Sequence, residues 1–192
     1  SVIKPGSLTA AQIQSLSPIG IIFTGGPSSV YEKDAPVCDP AVFSLGIPIL
    51  GICYGLQLMC HTLGGTVESG NLREYGKIDT QLDVSSPLFQ NLPPQTKTLM
   101  SHTDHVEKLP SGFVSIAHSA NCKNAAIANT EKALYGLQFH PEVETTDNGT
   151  EIIKNFVYNI CGAKGDFTMA DYIQQQISAI RAQVGTDKVL LG

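Results

Sequence analysis

Cys53 stands in the frame Gly51-Ile52-Cys53-Tyr54-Gly55. The apolar run Ile47 to Ile52 stops at it, and a helical pattern of Leu56, Met59 and Leu63 begins behind it and closes at Gly64-Gly65. Apolar strand, reactive residue, helix is the order of a nucleophile elbow. There the first glycine permits the tight turn and the second lets the helix pack close to the sheet. The helix N-terminus aims partial positive charge at the sulfur and favours thiolate over thiol. A lone Cys is more often a small core residue; the two glycines and the strand-to-helix switch reverse that balance. Such a nucleophile needs an acid/base partner, an orienting group and an oxyanion hole. Among the five histidines, His140 has the right setting: it follows Tyr135-Gly136-Leu137-Gln138-Phe139, is stopped by Pro141, and has Glu142 two residues on. His-Pro-Glu alone is a weak signal, but beside a cysteine elbow it reads as an acid/base and its orienter. One oxyanion amide is expected from Tyr54. The other is expected from Gly25-Gly26, where missing side chains let the backbone approach a ligand.

The elements that must position these groups alternate at first. Thr9 with Gln12 forms a capping box ahead of Ile13 and Leu16, which predicts a short helix ending at Ser17-Pro18. Ile19 to Phe23 is a continuous apolar run, suited to a strand buried on both faces of a parallel sheet, and it ends at Thr24-Gly25-Gly26-Pro27. Asp39-Pro40 opens another short helix that closes at Gly46. Helix and buried strand in alternation are the signature of an α/β sheet. Beyond Gly65 the period changes. Residues 78–84 alternate as a half-solvated antiparallel strand, and residues 98–101, 113–117, 125–128 and 133–139 are further strand candidates. Residues 149–161 read as a helix with Ile152, Ile153, Phe156, Val157 and Ile160 inward. After the linker Gly162-Ala163-Lys164-Gly165-Asp166, Thr168 and Asp171 cap an amphipathic helix bearing Ile173, Ile177, Ile180 and Val184.

Thr24-Gly25-Gly26-Pro27, Gly51-Ile52-Cys53-Tyr54-Gly55-Leu56-Gln57 and Phe139-His140-Pro141-Glu142, in this order and spacing, resemble the class I (triad) glutamine amidotransferases. Within that family, four further stretches are similar to the glutamine-hydrolysing GMP synthases: Arg73-Glu74-Tyr75-Gly76, Met100-Ser101-His102-Thr103-Asp104, Arg181-Ala182-Gln183-Val184-Gly185 and Lys188-Val189-Leu190-Leu191-Gly192. The resemblance covers essentially the whole chain. It departs at Thr103, where many members have Gly, and at Phe167, where Trp is common. It also departs at the ends: the family begins with a strand and helix absent here, and the tail stops before the loop that binds ATP pyrophosphate.

The resemblance implies an α/β fold with an open mixed, largely parallel sheet flanked by helices, plus the first helix of a missing C-terminal domain. Residues 1–163 would be the amidotransferase domain, and 164–192 the linker and start of an ATP-pyrophosphatase synthetase domain. It makes Cys53 the nucleophile, His140 the acid/base and Glu142 its orienter, with the amides of Gly26 and Tyr54 as oxyanion hole. Gln57, Ser101, His102 and Asp104 would help hold glutamine. No metal is expected on this chain; ATP and Mg²⁺ belong to the synthetase domain, which receives the ammonia to convert XMP to GMP. The full-length protein is expected to be a homodimer. The absent strand is expected beside those ending at Gly26 and Cys53. Without it both buried runs would expose apolar edge, and residues 1–192 alone would be aggregated or molten.

The whole chain sets outer bounds. Its 192 residues are 42% hydrophobic and 15% charged, enough for one good core and an appendage. A net charge of -5 without a long basic run argues against nucleic-acid binding. No apolar stretch reaches membrane-spanning length and Ser1 to Gly6 is not a signal peptide. Five cysteines without paired spacing fit a reducing cytoplasm. Three rival readings share parts of this pattern. An amidotransferase serving another synthetase should lack the Arg-Glu-Tyr-Gly and Arg-Ala-Gln-Val-Gly stretches. A non-catalytic regulatory domain would commonly have lost Cys, His or Glu. A cysteine peptidase would need a substrate groove.

Overall fold

The apolar run before Cys53 forms β2 (Ile49–Ile52), all four residues buried. It lies between β1 (Ile21–Phe23) and β7 (Leu134–Leu137) and runs parallel to both. From β7 the sheet continues antiparallel through β6 (Ala126–Asn129), β5 (Val114–His118), β3 (Thr66–Leu82) and β4 (Gln95–Lys108). The order of the seven strands is β1-β2-β7-β6-β5-β3-β4. The molecule is thus an open mixed α/β sheet, its parallel part confined to the three strands that carry Gly25-Gly26, Cys53 and His140 at their C-terminal ends. This computed structural model describes residues 1–189, without the side chains of residues 70–73. Arg73 of the Arg-Glu-Tyr-Gly stretch and residues 190–192 of the closing stretch therefore lie outside the described residues.

Side-chain alternation along β2 divides the core in two. Ile49 packs with Leu56 and Met59 of α2 (Tyr54–Thr62), together with Val42 and Phe43 of the 3₁₀ turn Pro40–Ser44 and Ala10 of α1 (Ala10–Ser15). Leu50 and Ile52 face the other way, toward Leu88, Phe89, Ile152 and Phe156. The last two lie on α3 (Gly149–Lys154) and on the π-helical turn Asn155–Ile160 that continues it. The Thr9–Gln12 capping box forms as expected, the Thr9 amide donating to Gln12 Oε1 at 2.9 Å. α4 (Met169–Val184) is capped by Thr168, whose Oγ1 accepts the Asp171 amide, and none of its residues is buried. Among the described residues no helix is long and apolar enough to cross a membrane.

Two expectations need correction. β1 is not buried on both faces: it is an edge strand of three residues, with Ile22 43% and Ile19 59% exposed. Nor does the run at 47–52 lack a neighbour, since β2 is paired on both sides; only the outer edge of β1 is open among the described residues of this parallel part. The antiparallel region is also longer than its alternation suggests, β3 starting at Thr66 rather than 78. Bulges at Thr66/Val67 and Ser69/Glu74 break the period of two there.

Close packing explains the elbow glycines. A Cβ on Gly51 would come within 2.6 Å of the Gly55 carbonyl group, and one on Gly55 within 2.4 Å of the Phe23 carbonyl oxygen. These neighbours are backbone and cannot swing aside. Gly55→Ala is expected to push α2 off β1, lowering unfolding free energy by about 1–3 kcal/mol; a chemical denaturation curve set against wild type checks this.

Candidate active site

Cys53 sits between β2 and α2 with φ 50° and ψ −105°, a backbone conformation that L-residues adopt only at a cost of about 1–3 kcal/mol. Its amide donates to the Leu137 carbonyl of β7 at 2.7 Å, and the Gln57 amide donates to its carbonyl at 3.1 Å. The turn is therefore tied to the sheet at one end and to the helix at the other. The side chain opens onto a cleft of about 420 Å³ lined by Thr24, Gly25, Gly26, Pro27, Cys53, Ser101, His140 and Glu142. That is room for a small molecule.

His140 arrives just past the end of β7. Its amide donates to the Leu99 carbonyl at 3.1 Å and its carbonyl accepts from Thr146 Oγ1 at 2.5 Å, so the loop is pinned to β4 before the side chain is placed. Nδ1 lies 2.7 Å from Glu142 Oε1. The nearby Cys53 side chain and the hydrogen bond with Glu142 push the His140 pKa up to about 10, against the effect of burial. Burial works against ionised Glu142 too, but the His140 contact holds its carboxyl below the usual range. Cys53, His140 and Glu142 thus line one cleft, with His140 hydrogen-bonded to Glu142. Gly25 completes the wall: a Cβ there would sit 3.0 Å from His140 Cε1 and 3.5 Å from Cys53 Cβ.

The expected substrate residues divide into two groups. Gly26 and Ser101 line the cleft, and the Ser101 carbonyl faces Cys53 Sγ at 4.0 Å. Gln57, His102 and Asp104 stand behind it. Gln57 Nε2 donates to the Asp104 carbonyl at 2.8 Å and to Gln138 Oε1 at 3.3 Å, so its amide braces the site from within. His102 is turned inward toward Glu74, and Tyr54 sends its hydroxyl to the Pro36 carbonyl at 2.6 Å. Sequence reasoning missed Gln138. It is fully buried, and its Nε2 points at Cys53 Sγ at 3.8 Å. The signal was a lone amide inside an otherwise apolar strand end, two residues before His140.

The other thiols lack this setting. Burial pushes Cys60 and Cys122 up to about 12 and Cys161 to about 11, and it raises Cys38 as well. An alkylating glutamine analogue is therefore expected to label Cys53 alone at neutral pH, as peptide mass mapping would show. Because the His140 pKa is raised from 6.5, the stabilisation from its charged contact with Glu142 is fully present below pH 6.5 and is lost as pH rises through about 10.

Comparison with known proteins identifies the family. The family model "Glutamine amidotransferase class-I" matches residues 2–160. The chain is similar to the GMP synthase [glutamine-hydrolyzing] of Acetivibrio thermocellus, 54% identical over 188 residues, covering 98% of this chain and 37% of that protein. It is also similar to the one of Treponema denticola, 53% identical over 191 residues, covering 100% of this chain and 36% of that protein. The chain therefore spans little more than a third of the length of these relatives. Among solved structures it is similar to a GMP synthase subunit protein from Thermoplasma acidophilum, with TM-score 0.71 and 28% identity. That match covers 92% of this chain and 84% of the other.

Proposed function

This chain belongs to the class I glutamine amidotransferases, and on that premise we propose that it is the glutaminase part of a glutamine-hydrolysing GMP synthase. The observation that carries the reading is the gathering of Cys53, on its elbow, with the hydrogen-bonded pair His140 and Glu142 in one cleft. The Cys53 thiolate attacks the side-chain carboxamide carbon of glutamine, forming a tetrahedral oxyanion. The backbone amides of Tyr54 and Gly26 are proposed to receive that charge. As the C–N bond breaks, His140 gives its proton to the leaving ammonia. Neutral His140, held by Glu142, then takes a proton from water, which attacks the thioester carbonyl and releases glutamate and the Cys53 sulfur.

The ammonia is proposed to pass to a synthetase portion that has activated XMP with ATP and Mg²⁺, giving GMP; the steps on this chain involve neither ATP nor the ion. Residues 1–163 serve as the amidotransferase domain and 164–192 as linker and first helix of that synthetase portion. Support comes from the names and greater length of the relatives and from the exposed Ile173, Ile177 and Ile180 on α4. A homodimer for the full-length protein rests on the family resemblance alone. A cytoplasmic setting is supported by the five free cysteines.

Glutamate release by the full-length protein tests the glutaminase step. His140→Ala should lower kcat/KM by at least about 100-fold, since both proton transfers lose their carrier. Glu142→Gln keeps a hydrogen-bonding partner for the ring and should lose less. Wild-type turnover by His140→Ala would reject the assignment.

A further inference from the structure

Behind the cleft lies a buried group of side chains that the proposed mechanism does not use. Glu74 on β3 and His102 on β4 are direct cross-strand partners, next to the Ser69/Glu74 bulge. They are 2% and 6% exposed. Each has its outer atom satisfied: Glu74 Oε1 accepts from Ser119 Oγ at 2.8 Å, and His102 Nδ1 donates to the Asp104 carbonyl at 3.1 Å. Each has its inner atom unpartnered, Glu74 Oε2 and His102 Nε2, and these face each other at 3.5 Å. Nδ1 faces a carbonyl and must carry hydrogen. Burial pushes the His102 pKa down against the pull of Glu74; a single proton shared between Nε2 and Oε2 would remove the repulsion of two bare lone pairs across the gap.

That pair is the far end of a connected chain. The Asp104 carbonyl that takes the His102 proton also takes the Gln57 amide; Gln57 meets Gln138, and Gln138 meets Cys53 Sγ. Segment 101–104 has His102 as its only buried side chain, while the Ser101 carbonyl faces the thiol. We propose that Glu74 is a positioning residue for glutamine: through a shared proton it locks His102, and so fixes the backbone of residues 101–104 against α2 and the cleft. The inference rests on the glutaminase reading above and deepens it by naming what holds the substrate-facing segment.

Cys122 also borders this group, its sulfur within 4.8 Å of the Glu74 and His102 ligand atoms. A divalent transition metal on the three is the rival explanation of the unpartnered atoms. The observations favour the proton. A closed protein-bound zinc site takes four ligands. Ser119 Oγ, a candidate fourth, is already committed to Glu74 Oε1 and to the Asn121 and Cys122 amides.

The test compares wild type, Glu74→Ala, Glu74→Gln and Cys122→Ala in the full-length protein. Readouts are glutaminase kinetics, Cys53 alkylation rate, hydrogen exchange of the backbone over residues 99–106, and metal content. Glu74→Ala should raise KM for glutamine by about tenfold or more with kcat within about threefold. It should speed exchange over 99–106 and leave alkylation near the wild-type rate. Glu74→Gln, which offers its amide to Nε2 and its oxygen to Ser119, should restore both KM and exchange protection to within about threefold. Cys122→Ala should behave as wild type, and none of the proteins should hold stoichiometric metal. Unchanged exchange and KM in Glu74→Ala would overturn the proposal, as would stoichiometric zinc lost in both Glu74→Ala and Cys122→Ala. If wild type does not hydrolyse glutamine, the glutaminase reading fails by itself, and the exchange data still decide whether Glu74 holds the segment. Should Glu74→Ala not fold, Ser119→Ala removes only the hydroxyl on Oε1 and should raise KM and exchange in the same direction by about threefold.

Discussion

The left-handed backbone of Cys53 is the constraint on which the rest of the molecule depends. A residue with a side chain at φ 50° is strained, and the strain persists only because its surroundings over-determine it. Those surroundings are β2 and α2. β2 is buried along its whole length and paired on both sides; α2 is buried from Tyr54 to Cys60. Gly51 and Gly55 let helix and sheet approach until their backbones touch. The result is a sulfur fixed at the start of a helix, at the C-terminal end of a parallel strand. Strands elsewhere in the sheet run antiparallel and deliver their loops differently, which is why the reactive groups gather at the three parallel strands.

Around that fixed sulfur the site has a front and a back. The front is chemical: the hydrogen-bonded pair His140 and Glu142 shares the cleft with the thiol, and the small residues Gly25 and Gly26 leave space for a ligand. The back is polar but sealed. Gln57, Gln138, His102 and Glu74 are each at least nine-tenths buried and hydrogen-bonded to one another, to backbone or to Ser119. Buried polar groups are costly unless partnered, so such a layer tolerates few arrangements and holds the carbonyls of Ser101 and Asp104 in one place. A wholly apolar layer would pack as well but would leave those carbonyls free to turn.

The peripheral elements are held less firmly. β1 has an open outer edge, and α4 carries its isoleucines in solvent. Neither enters the cleft directly. β1 matters because its end delivers Thr24 to Pro27, which form one wall.

Local rules carried much of this protein. The Gly-x-Cys-x-Gly frame marked the elbow because its chemistry is contained in five consecutive residues. The Thr9–Gln12 box and the Thr168 cap were legible because a helix start is satisfied by residues three apart. His140 and Glu142 were legible as a pair for the same reason. What the chain alone left open was long-range. Alternation cannot show where register shifts, so it predicts a strand only from residue 78 while β3 starts at Thr66. An apolar run does not reveal whether it will be a central or an edge strand, so the composition of β1 suits a buried strand while the structure puts it at the edge. The roles of Gln57, Gln138 and Glu74 depend on partners between 28 and 85 positions away in sequence. Only the tertiary structure decides such pairings, because a buried hydrogen bond is specified by which strands lie side by side and not by the residues next to it in the chain.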